Sequence, residues 1–203
     1  MVVGDLTKYR EFHSIEEVEQ WAQIHYPDIY GDQRLVNPDF KILTYYSGSC
    51  YKLYNNVLRF GGKYSEDTMH EVRLLIDILD KYTIQEYVVA YRYTHKRDMK
   101  WLSGGKRLHP GMRFADKGFF STSLVKSSLE DFRKKYKRNC ILKLYLPKGI
   151  HGTYISLKGT CSVLNEQELL LQRGTEFEII KIHYFSWPII IECRAIVNSK
   201  ADE

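Results

Sequence analysis

The hydrophobic pattern of this chain changes near residue 86, and the change limits the folds that it can adopt. Before that point apolar residues recur at helical spacing, as at Met69, Val72 and Ile76. After it, short apolar runs between turn residues indicate strands at 88–93, 119–124, 140–146, from about 167, 176–185 and 188–197. Helices followed by strands with short connections are typical of an α+β fold with a curved or sandwiched sheet.

The spacing Ser/Thr-x-x-Glu, in which the two side chains can cap a helix start, predicts three helix beginnings. It occurs at residues 14–17, 68–71 and 127–130, and the first of these helices should stop at Pro27. Residues 45–59, YYSGSCYKLYNNVLR, are helix-like after a break at the Gly-Ser pair. We therefore predict a helical part over about residues 14–82 and a β-rich core over about 86–198.

Length and composition suit one domain spanning residues 1–203. Apolar residues make up 44% of the chain, which is enough for a core, and no run approaches the length of a membrane-spanning helix. The N-terminal sequence MVVGDLTKYREFHS lacks the apolar segment of a secretory signal. This is expected either of an intracellular protein or of a mature or trimmed chain.

The net charge of +5 is compatible with an anionic ligand but too small to require nucleic acid as a partner. Basic residues concentrate in RKKYKR at 133–138 and near Arg97 and Arg107. Such stretches are common on solvated helix faces. By themselves they do not indicate a binding site.

The cysteines are scattered without the spacing of a metal site. Cys140 and Cys193 lie in apolar runs, where they behave as small buried hydrophobic residues. We expect Cys50, Cys140, Cys161 and Cys193 to be free thiols and expect no metal, consistent with a reducing compartment.

Two glutamates, Glu166 and Glu168, stand immediately before the apolar run Leu169–Leu171. In an extended backbone their carboxylates would share a face about 7 Å apart. Charge beside a buried strand is costly unless it has a partner or a function. The pair is a candidate active site, although Glu-X-Glu at the start of a strand also occurs by chance.

Two further patterns precede this pair. Arg92 lies in the apolar strand VVAYRYTH, and its planar donor fork suits a phosphate or a carboxylate. Ser121, Thr122 and Ser123 interrupt another strand, with Ser121 and Ser123 on one face and Thr122 on the other. Taken singly, an ordinary ion pair and surface β-propensity would explain them.

The order Arg, Ser-Thr-Ser, Glu-X-Glu on three strands resembles the mono-ADP-ribosyltransferase family. The likeness is greatest to the bacterial branch of clostridial Rho-modifying exoenzymes and of enzymatic components of actin-modifying binary toxins. It also includes YYSGSCYKLYNNVLR and PGMRFADKGFFSTSL, covers about residues 14–197, and is strongest over 88–179. It implies a mixed two-sheet β-sandwich core, a helical N-terminal preface and an NAD cleft between the sheets.

The resemblance also implies roles for individual side chains in cleaving the nicotinamide–ribose bond of NAD. Glu168 would hold the ribose 2′-hydroxyl and stabilise the developing cation, Ser121 would orient Glu168, and Arg92 would bind the phosphate or ribose side. Lys135 stands where relatives commonly carry an arginine, so it would supply charge without a bidentate fork. The further NAD-binding residues implied are Arg59, Tyr46, Tyr51, Asn55, Thr122 and Phe132, although Phe132 also fits a helical core stripe with Leu129 and Tyr136.

The resemblance implies an arginine acceptor, because Glu166 occupies the position that distinguishes arginine-modifying members from asparagine-modifying ones. A protonated arginine is a poor nucleophile, and a nearby carboxylate can orient it and draw off a proton. Gln167 lies between the glutamates and not at that position. Val163 replaces the aromatic residue that relatives usually carry three residues before Glu166, so actin is not implied as the target.

The sequence thus predicts an NAD-dependent, arginine-specific ADP-ribosyltransferase, a toxin or effector that is secreted or injected and acts in a host cytosol. As a catalytic domain it is expected to be a monomer. An NAD glycohydrolase that uses water, a phage enzyme that modifies host proteins, and a binding module that has lost catalysis are the alternatives.

Overall fold

The structure, a computed structural model, describes residues 5–30, 36–155 and 167–197. Its helices precede most of its strands, as the sequence predicts. They are α1 (Ile15–His25), α2 (Pro27–Tyr30), α3 (Pro38–Tyr45), α4 (Tyr51–Phe60), α5 (Glu66–Lys81), α6 (Lys96–Leu102) and α7 (Glu130–Lys135). A π-helical turn, Tyr46–Cys50, joins α3 to α4, and a 3-10 turn, Ser127–Leu129, leads into α7.

The first predicted capping site is correct and the other two are wrong. Ser14 caps α1 by accepting a hydrogen bond of 3.2 Å from the backbone N–H of Glu17. Helix α5 begins at Glu66, because Ser65 and not Thr68 is its capping residue. The Ser65 side chain accepts a hydrogen bond from the backbone N–H of Thr68. Ser127 lies inside the 3-10 turn and caps nothing.

The Gly-Ser pair at 48–49 does not break the helix as predicted. It lies in the π turn, where the backbone continues from α3 into α4 with one wider turn. Turns of this kind occur frequently at functional sites.

In the described part of the chain, eight strands form one hydrogen-bonded sheet in the order β2-β7-β8-β4-β1-β3-β6-β5. The strands are β1 (Val88–Thr94), β2 (Arg113–Ala115), β3 (Phe120–Ser123), β4 (Cys140–Leu146), β5 (Gly152–Ile155), β6 (Glu168–Leu171), β7 (Glu176–His183) and β8 (Ile189–Ala195). The sheet is mixed, because β4 and β8 run parallel while the other neighbours run antiparallel.

The sheet has two parts with a narrow junction. Strands β1 and β3 pair at Tyr91 and Ser123, whereas β1 pairs with β4 along its whole length. The group β2-β7-β8-β4-β1 and the group β3-β6-β5 correspond to the two sheets of the predicted core, and the pairing of Tyr91 with Ser123 joins them into one sheet. This confirms the α+β fold with a helical N-terminal part, and it brings the middle of β1 next to the end of β3 and the start of β6.

One apolar cluster joins the helices to the sheet. It includes Trp21 of α1, Leu75 of α5, Leu142 of β4 and Leu170 of β6, all of which are buried. A second, smaller apolar cluster is separate from the first and includes Tyr91 of β1 and Tyr145 of β4. Within the described part of the chain, every helix is too short or too polar to cross a membrane.

Candidate active site

A cleft of about 1270 Å³ opens beside the junction of β1, β3 and β6. Its walls come from the π turn, α4, α6 and these three strands. The cleft therefore brings together segments that lie far apart in the sequence. Among the predicted site residues, it is lined by Glu168, Ser121, Arg92, Arg59, Tyr46, Tyr51, Asn55 and Thr122.

Glu168, the first residue of β6, lies partly buried in this cleft. The Ser47 hydroxyl donates a hydrogen bond of 2.7 Å to its Oε2 atom. Burial raises the pKa of Glu168 above the usual range, while hydrogen bonds from Ser121 and Ser47 and the charge of Arg92 act in the opposite direction. The Ser47 bond to this carboxylate was not predicted from the sequence, and the role of Ser121 in orienting Glu168 stays a prediction.

Arg92 projects from β1 toward β3. Its Nη1 atom donates a hydrogen bond of 2.6 Å to the backbone carbonyl of Ser121, and its guanidinium lies 4.6 Å from the centre of the Phe120 ring. Burial lowers the pKa of Arg92, and the Asp116 carboxylate opposes that effect. The guanidinium is therefore fixed against β3 next to Ser121 and Glu168.

The hydroxyls of Thr122 and Ser123 are engaged within the protein. Thr122 donates to the backbone carbonyl of Leu169 at 2.7 Å, which ties β3 to β6. Ser123 donates to the carbonyl of Val125 at 2.9 Å and accepts from its N–H. Of the Ser-Thr-Ser triplet, Ser121 is the member that is partly exposed to the cleft.

Tyr46, Tyr51 and Asn55 form the helical wall. The Asn55 amide donates a hydrogen bond of 2.9 Å to the buried Tyr46 hydroxyl, and the Tyr46 ring packs edge-on against Phe119. Burial and then the charge of Glu168 raise the pKa of Tyr46. Tyr51 is exposed at the lip. The Asn55 Oδ1 atom is buried beside Gly118 and accepts no hydrogen bond from the described residues.

Arg59 pairs with a carboxylate that the sequence analysis missed. Its Nε and Nη2 atoms donate bidentately to Asp116 at 2.7 and 2.5 Å, and Asp116 also accepts from the Gly118 N–H at 2.9 Å. The donor fork predicted to contact a phosphate is therefore occupied by Asp116 in this structure. Asp116 stands in PGMRFADKGFF two residues before Gly118, and no local pattern there distinguishes it from an ordinary polar residue.

Two of the predicted NAD-binding residues, Phe132 and Lys135, lie in the segment after Ser-Thr-Ser. Phe132 lies on α7, and its side chain falls outside the described structure. Lys135 is exposed, with its ammonium 5.4 Å from the Tyr136 ring, and it does not line the cleft. Arg138, three residues further on, does line it and donates to Asp98 at 3.3 Å. An arginine with a planar fork is thus present near the position where a lysine was expected to act.

Glu166 and Val163 lie outside the described residues, as does Cys161. The prediction of an extended backbone through the Glu-X-Glu pair is wrong at its middle residue, because Gln167 has a left-handed φ of 48°. The Tyr154 hydroxyl donates to the buried Gln167 side chain, and the Gln167 carbonyl accepts from the Leu124 N–H at 3.1 Å. Gln167 therefore anchors the turn from which Glu168 enters β6.

Cys50, Cys140 and Cys193 are free thiols, and burial raises the pKa of Cys140 to about 12. Within residues 5–30, 36–155 and 167–197, no cluster of His, Cys, Asp and Glu side chains has the arrangement of a metal site.

The family model for the ADP-ribosyltransferase exoenzyme matches residues 18–192, which include every part of the cleft. The chain belongs to this family. The match confirms the family inferred from the order of Arg92, Ser121 and Glu168. No curated protein matches the chain.

Solved structures share the fold of this exoenzyme. C3stau2 from S. aureus, solved with NAD, has a TM-score of 0.72 at 21% identity, covering 93% of this chain and 99% of that one. Plx2a, an ADP-ribosyltransferase toxin from Paenibacillus larvae, has a TM-score of 0.69 at 22% identity, covering 92% and 98%. The ADP-ribosylating toxin BECa of a binary enterotoxin of C. perfringens, solved with NADH, has a TM-score of 0.72 at 21% identity, covering 93% of this chain but 50% of that chain. The exoenzyme thus corresponds to half of BECa and to nearly all of the other two.

Proposed function

We propose that this exoenzyme binds NAD in the cleft and transfers ADP-ribose to an arginine side chain of a target protein. The observation that carries the proposal is the position of Glu168. Its carboxylate lies in the cleft between two hydroxyl donors, Ser47 and Ser121, and beside the guanidinium of Arg92. The chain's own donors thus orient a carboxylate whose environment raises its pKa, which is typical of a functional site.

The described residues fit NAD as the substrate. The cleft volume of about 1270 Å³ accommodates a dinucleotide. Arg92 offers a cation for the phosphate or ribose side, and Tyr51 offers an exposed ring. C3stau2, which has the same fold, was solved with NAD.

NAD supplies the chemistry by losing nicotinamide from its ribose, which leaves positive charge on the sugar. Glu168 would accept a hydrogen bond from the ribose 2′-hydroxyl and stabilise that charge, because a fixed carboxylate needs no reorganisation when charge develops. Ser47 and Ser121 would keep Glu168 in place. Arg92 would hold the substrate from the β1 side.

The proposal that the acceptor is an arginine rests on the sequence alone. Glu166 would orient the acceptor guanidinium and take a proton from it, since a protonated arginine has no lone pair to donate. We propose further that the enzyme is a secreted or injected toxin or effector acting in a host cytosol, as a monomeric catalytic domain spanning residues 1–203. Support comes from toxins among the structural relatives, of which BECa is twice as long.

Labelling of eukaryotic and bacterial lysates with biotinylated NAD, followed by mass spectrometry of the modified residue, tests this proposal. Glu168→Gln should lower both protein labelling and nicotinamide release on the order of a hundredfold or more. Glu166→Gln should abolish labelling but leave some NAD hydrolysis. Glu66→Gln, an exposed position on α5, is the matched control and should change neither rate.

Each alternative function predicts a different outcome of these assays. Free ADP-ribose in large excess over protein-bound label would indicate a glycohydrolase, and no nicotinamide release would indicate a binding module. Labelling confined to bacterial proteins would favour the phage enzyme. Modification at a residue other than arginine would contradict the role of Glu166.

A further inference from the structure

The turn between β7 and β8 carries three exposed aromatic side chains. We call residues 184–188 the aromatic finger. Phe185 is fully exposed, Trp187 is 78% exposed and Tyr184 is 53% exposed. Large apolar side chains grouped in this way on a surface mark a site of interaction.

The aromatic finger is held in shape by its own serine. The Ser186 hydroxyl donates to the His183 carbonyl at 2.8 Å and accepts from the Ile190 N–H at 3.1 Å. The strands below it are paired up to His183 and Ile190. Because the turn is already ordered, a partner would bind these rings at little cost in conformational entropy.

Two basic segments, residues 96–108 and residues 130–139, touch the aromatic finger. The Tyr184 hydroxyl donates to the Leu108 carbonyl at 3.3 Å, next to the exposed Lys106 and Arg107. The Ile189 N–H, directly after the finger, donates to the Asn139 carbonyl at 3.1 Å, next to the basic run 133–138. The basic stretches that the cleft does not explain therefore converge on the base of the finger.

The acidic side chains described in these segments are already paired. Asp98 pairs with Arg138 at 3.3 Å, and Glu130 pairs with Arg133 at 2.9 Å. The basic side chains that are exposed in the two segments are Lys96, Arg97, Lys100, Lys106, Arg107, Lys134, Lys135 and Lys137. This end of the molecule consequently presents a positive field around a protruding apolar tip.

We propose that the aromatic finger and the two basic segments dock the enzyme on an anionic phospholipid surface. The order of the side chains fits the depth profile of a bilayer interface. Phe185 has no polar group and is the most exposed of the three, while Tyr184 and Trp187 carry a polar atom suited to the headgroup level. The surrounding lysines and arginines lie where lipid phosphates would be, and attraction of this kind complements shallow insertion of rings.

The shape of the tip favours a bilayer over nucleic acid. Single-stranded nucleic acid is held in a basic groove with aromatic rings along its floor. Here the exposed rings lie in the turn between β7 and β8, and the basic residues adjoin Leu108 and Asn139, which contact Tyr184 and Ile189. The rings can therefore enter a soft surface while the charges remain outside it.

Docking of this kind would place the cleft near the membrane. Trp101 of α6, Tyr136 and Arg138 belong to the same basic segments and also line the cleft. A target held at the membrane would then meet the cleft at a raised local concentration. The docking itself does not depend on the proposed transferase activity.

Vesicle binding by the purified full chain tests the proposal. The chain should co-sediment with phosphatidylcholine vesicles that contain phosphatidylserine and not with vesicles of phosphatidylcholine alone. In a Trp101→Phe background, binding should shift the tryptophan emission to shorter wavelength, and adding Trp187→Phe should remove most of that shift, because the remaining Trp21 is buried. Phe185→Ser with Trp187→Ser should weaken binding at least tenfold, whereas the matched control Ile24→Ser, at an exposed site on α1, should not.

Separate variants test the contribution of the basic side chains to vesicle binding. Lys106→Ser with Arg107→Ser should weaken binding on the order of fivefold for each removed charge, whereas Lys63→Ser with Lys148→Ser should have little effect. Circular dichroism checks that each variant is folded. The proposal is overturned if the wild-type chain ignores anionic vesicles, if it binds both vesicle types equally, or if the finger variant binds as well as wild type. Retention on an acidic polymer without vesicle binding would also overturn it, in favour of another polyanion.

Discussion

The Ser47 hydroxyl donates a hydrogen bond of 2.7 Å to Glu168 Oε2, across a sequence separation of 121 residues. The donor lies in the π turn between α3 and α4, and the acceptor begins β6. The helical part of the chain therefore contributes directly to the position of the carboxylate in the cleft. The π turn therefore places the Ser47 hydroxyl against the first residue of β6.

We expect Ser47→Ala to lower transferase and NAD hydrolysis rates about tenfold at neutral pH, since a hydrogen bond to a charged group contributes about 1.5–3 kcal/mol. The Ser47 bond lowers the pKa of Glu168 against the larger effect of burial. Its removal should raise that pKa, so the acidic limb of the pH–rate profile should move to higher pH. Initial rates of nicotinamide release across a pH series provide the measurement.

Ser49→Ala is the matched control, because Ser49 lies in the same π turn and its hydroxyl contacts only the neighbouring Cys50 sulfur among the contacts seen in the described chain. Its rates and pH profile should match those of the wild type. A Ser47→Ala enzyme with an unshifted acidic limb would contradict the role assigned to this hydroxyl.

We expect Glu168→Gln to be more stable to unfolding than the wild type at neutral pH. The folded state raises the pKa of Glu168, so the carboxyl group favours folding when protonated and loses that contribution as pH rises through its folded pKa. The amide carries no charge to bury. The stability difference should be present at neutral pH and vanish as the pH falls below the pKa of an unfolded glutamate.

Urea denaturation of both proteins at neutral and acidic pH measures this difference. Glu66→Gln, on the exposed surface of α5, should show no comparable gain. Equal stability of wild type and Glu168→Gln at neutral pH would mean that Glu168 is better solvated than its position indicates.

The residues predicted from sequence and those missed differ in what fixes them. Arg92, Ser121 and Glu168 lie on three strands, and their order in the chain sufficed to predict that they meet. Ser47 and Asp116 act through tertiary contacts with Glu168 and Arg59, and neither has a local sequence pattern that distinguishes it from an ordinary polar residue. Such contacts depend on how the helices pack on the sheet, which periodicity does not determine.

Local geometry accounts for the other differences. Thr68 fits a capping box with Glu71, but the Ser65 side chain accepts a hydrogen bond from the N–H of Thr68 itself, so α5 starts earlier than predicted. Gln167 adopts a left-handed backbone because its buried side chain and carbonyl are both held by hydrogen bonds, and strand alternation consequently stops at Glu168. Hydrogen bonds that the sequence pattern does not reveal therefore set both the start of α5 and the backbone conformation of Gln167.

We expect Asp116→Ala to lower the free energy of unfolding by about 3–5 kcal/mol, because removing one member of a buried ion pair leaves the other uncompensated. Asp116 is 4% exposed and Arg59 is 20% exposed. Replacing Arg59 with Leu in the same background should recover part of the loss by removing the orphaned charge. Urea denaturation of the single and double variants provides the measurement.

The control is an exposed ion pair. Lys81→Ala removes the partner of Asp39 on the surface of the helical part, where such pairs contribute less than about 1 kcal/mol. If Asp116→Ala cost no more than Lys81→Ala, the pair with Arg59 would not be a structural element of the cleft.

We expect Gly118→Ala to weaken NAD binding at least about tenfold, by disturbing the helical wall of the cleft without removing any of its side chains. A Cβ atom at Gly118 would lie 2.5 Å from Asn55 Oδ1 and 3.0 Å from Arg59 Nε. Asn55 is buried and bound to Tyr46, so it cannot move aside as a flexible surface side chain would. The free energy of unfolding should also fall by about 1–3 kcal/mol.

Gly48→Ala separates this crowding from a general effect of replacing glycine in the cleft. No heavy atom lies within 4 Å of a Cβ at Gly48, so its free energy of unfolding should stay unchanged or rise by less than about 1 kcal/mol. Calorimetric titration with NAD and urea denaturation of both variants give the comparison. If Gly118→Ala bound NAD as tightly as the wild type, Asn55 and Arg59 could shift without loss, and the wall that they form would not contribute to the affinity for NAD.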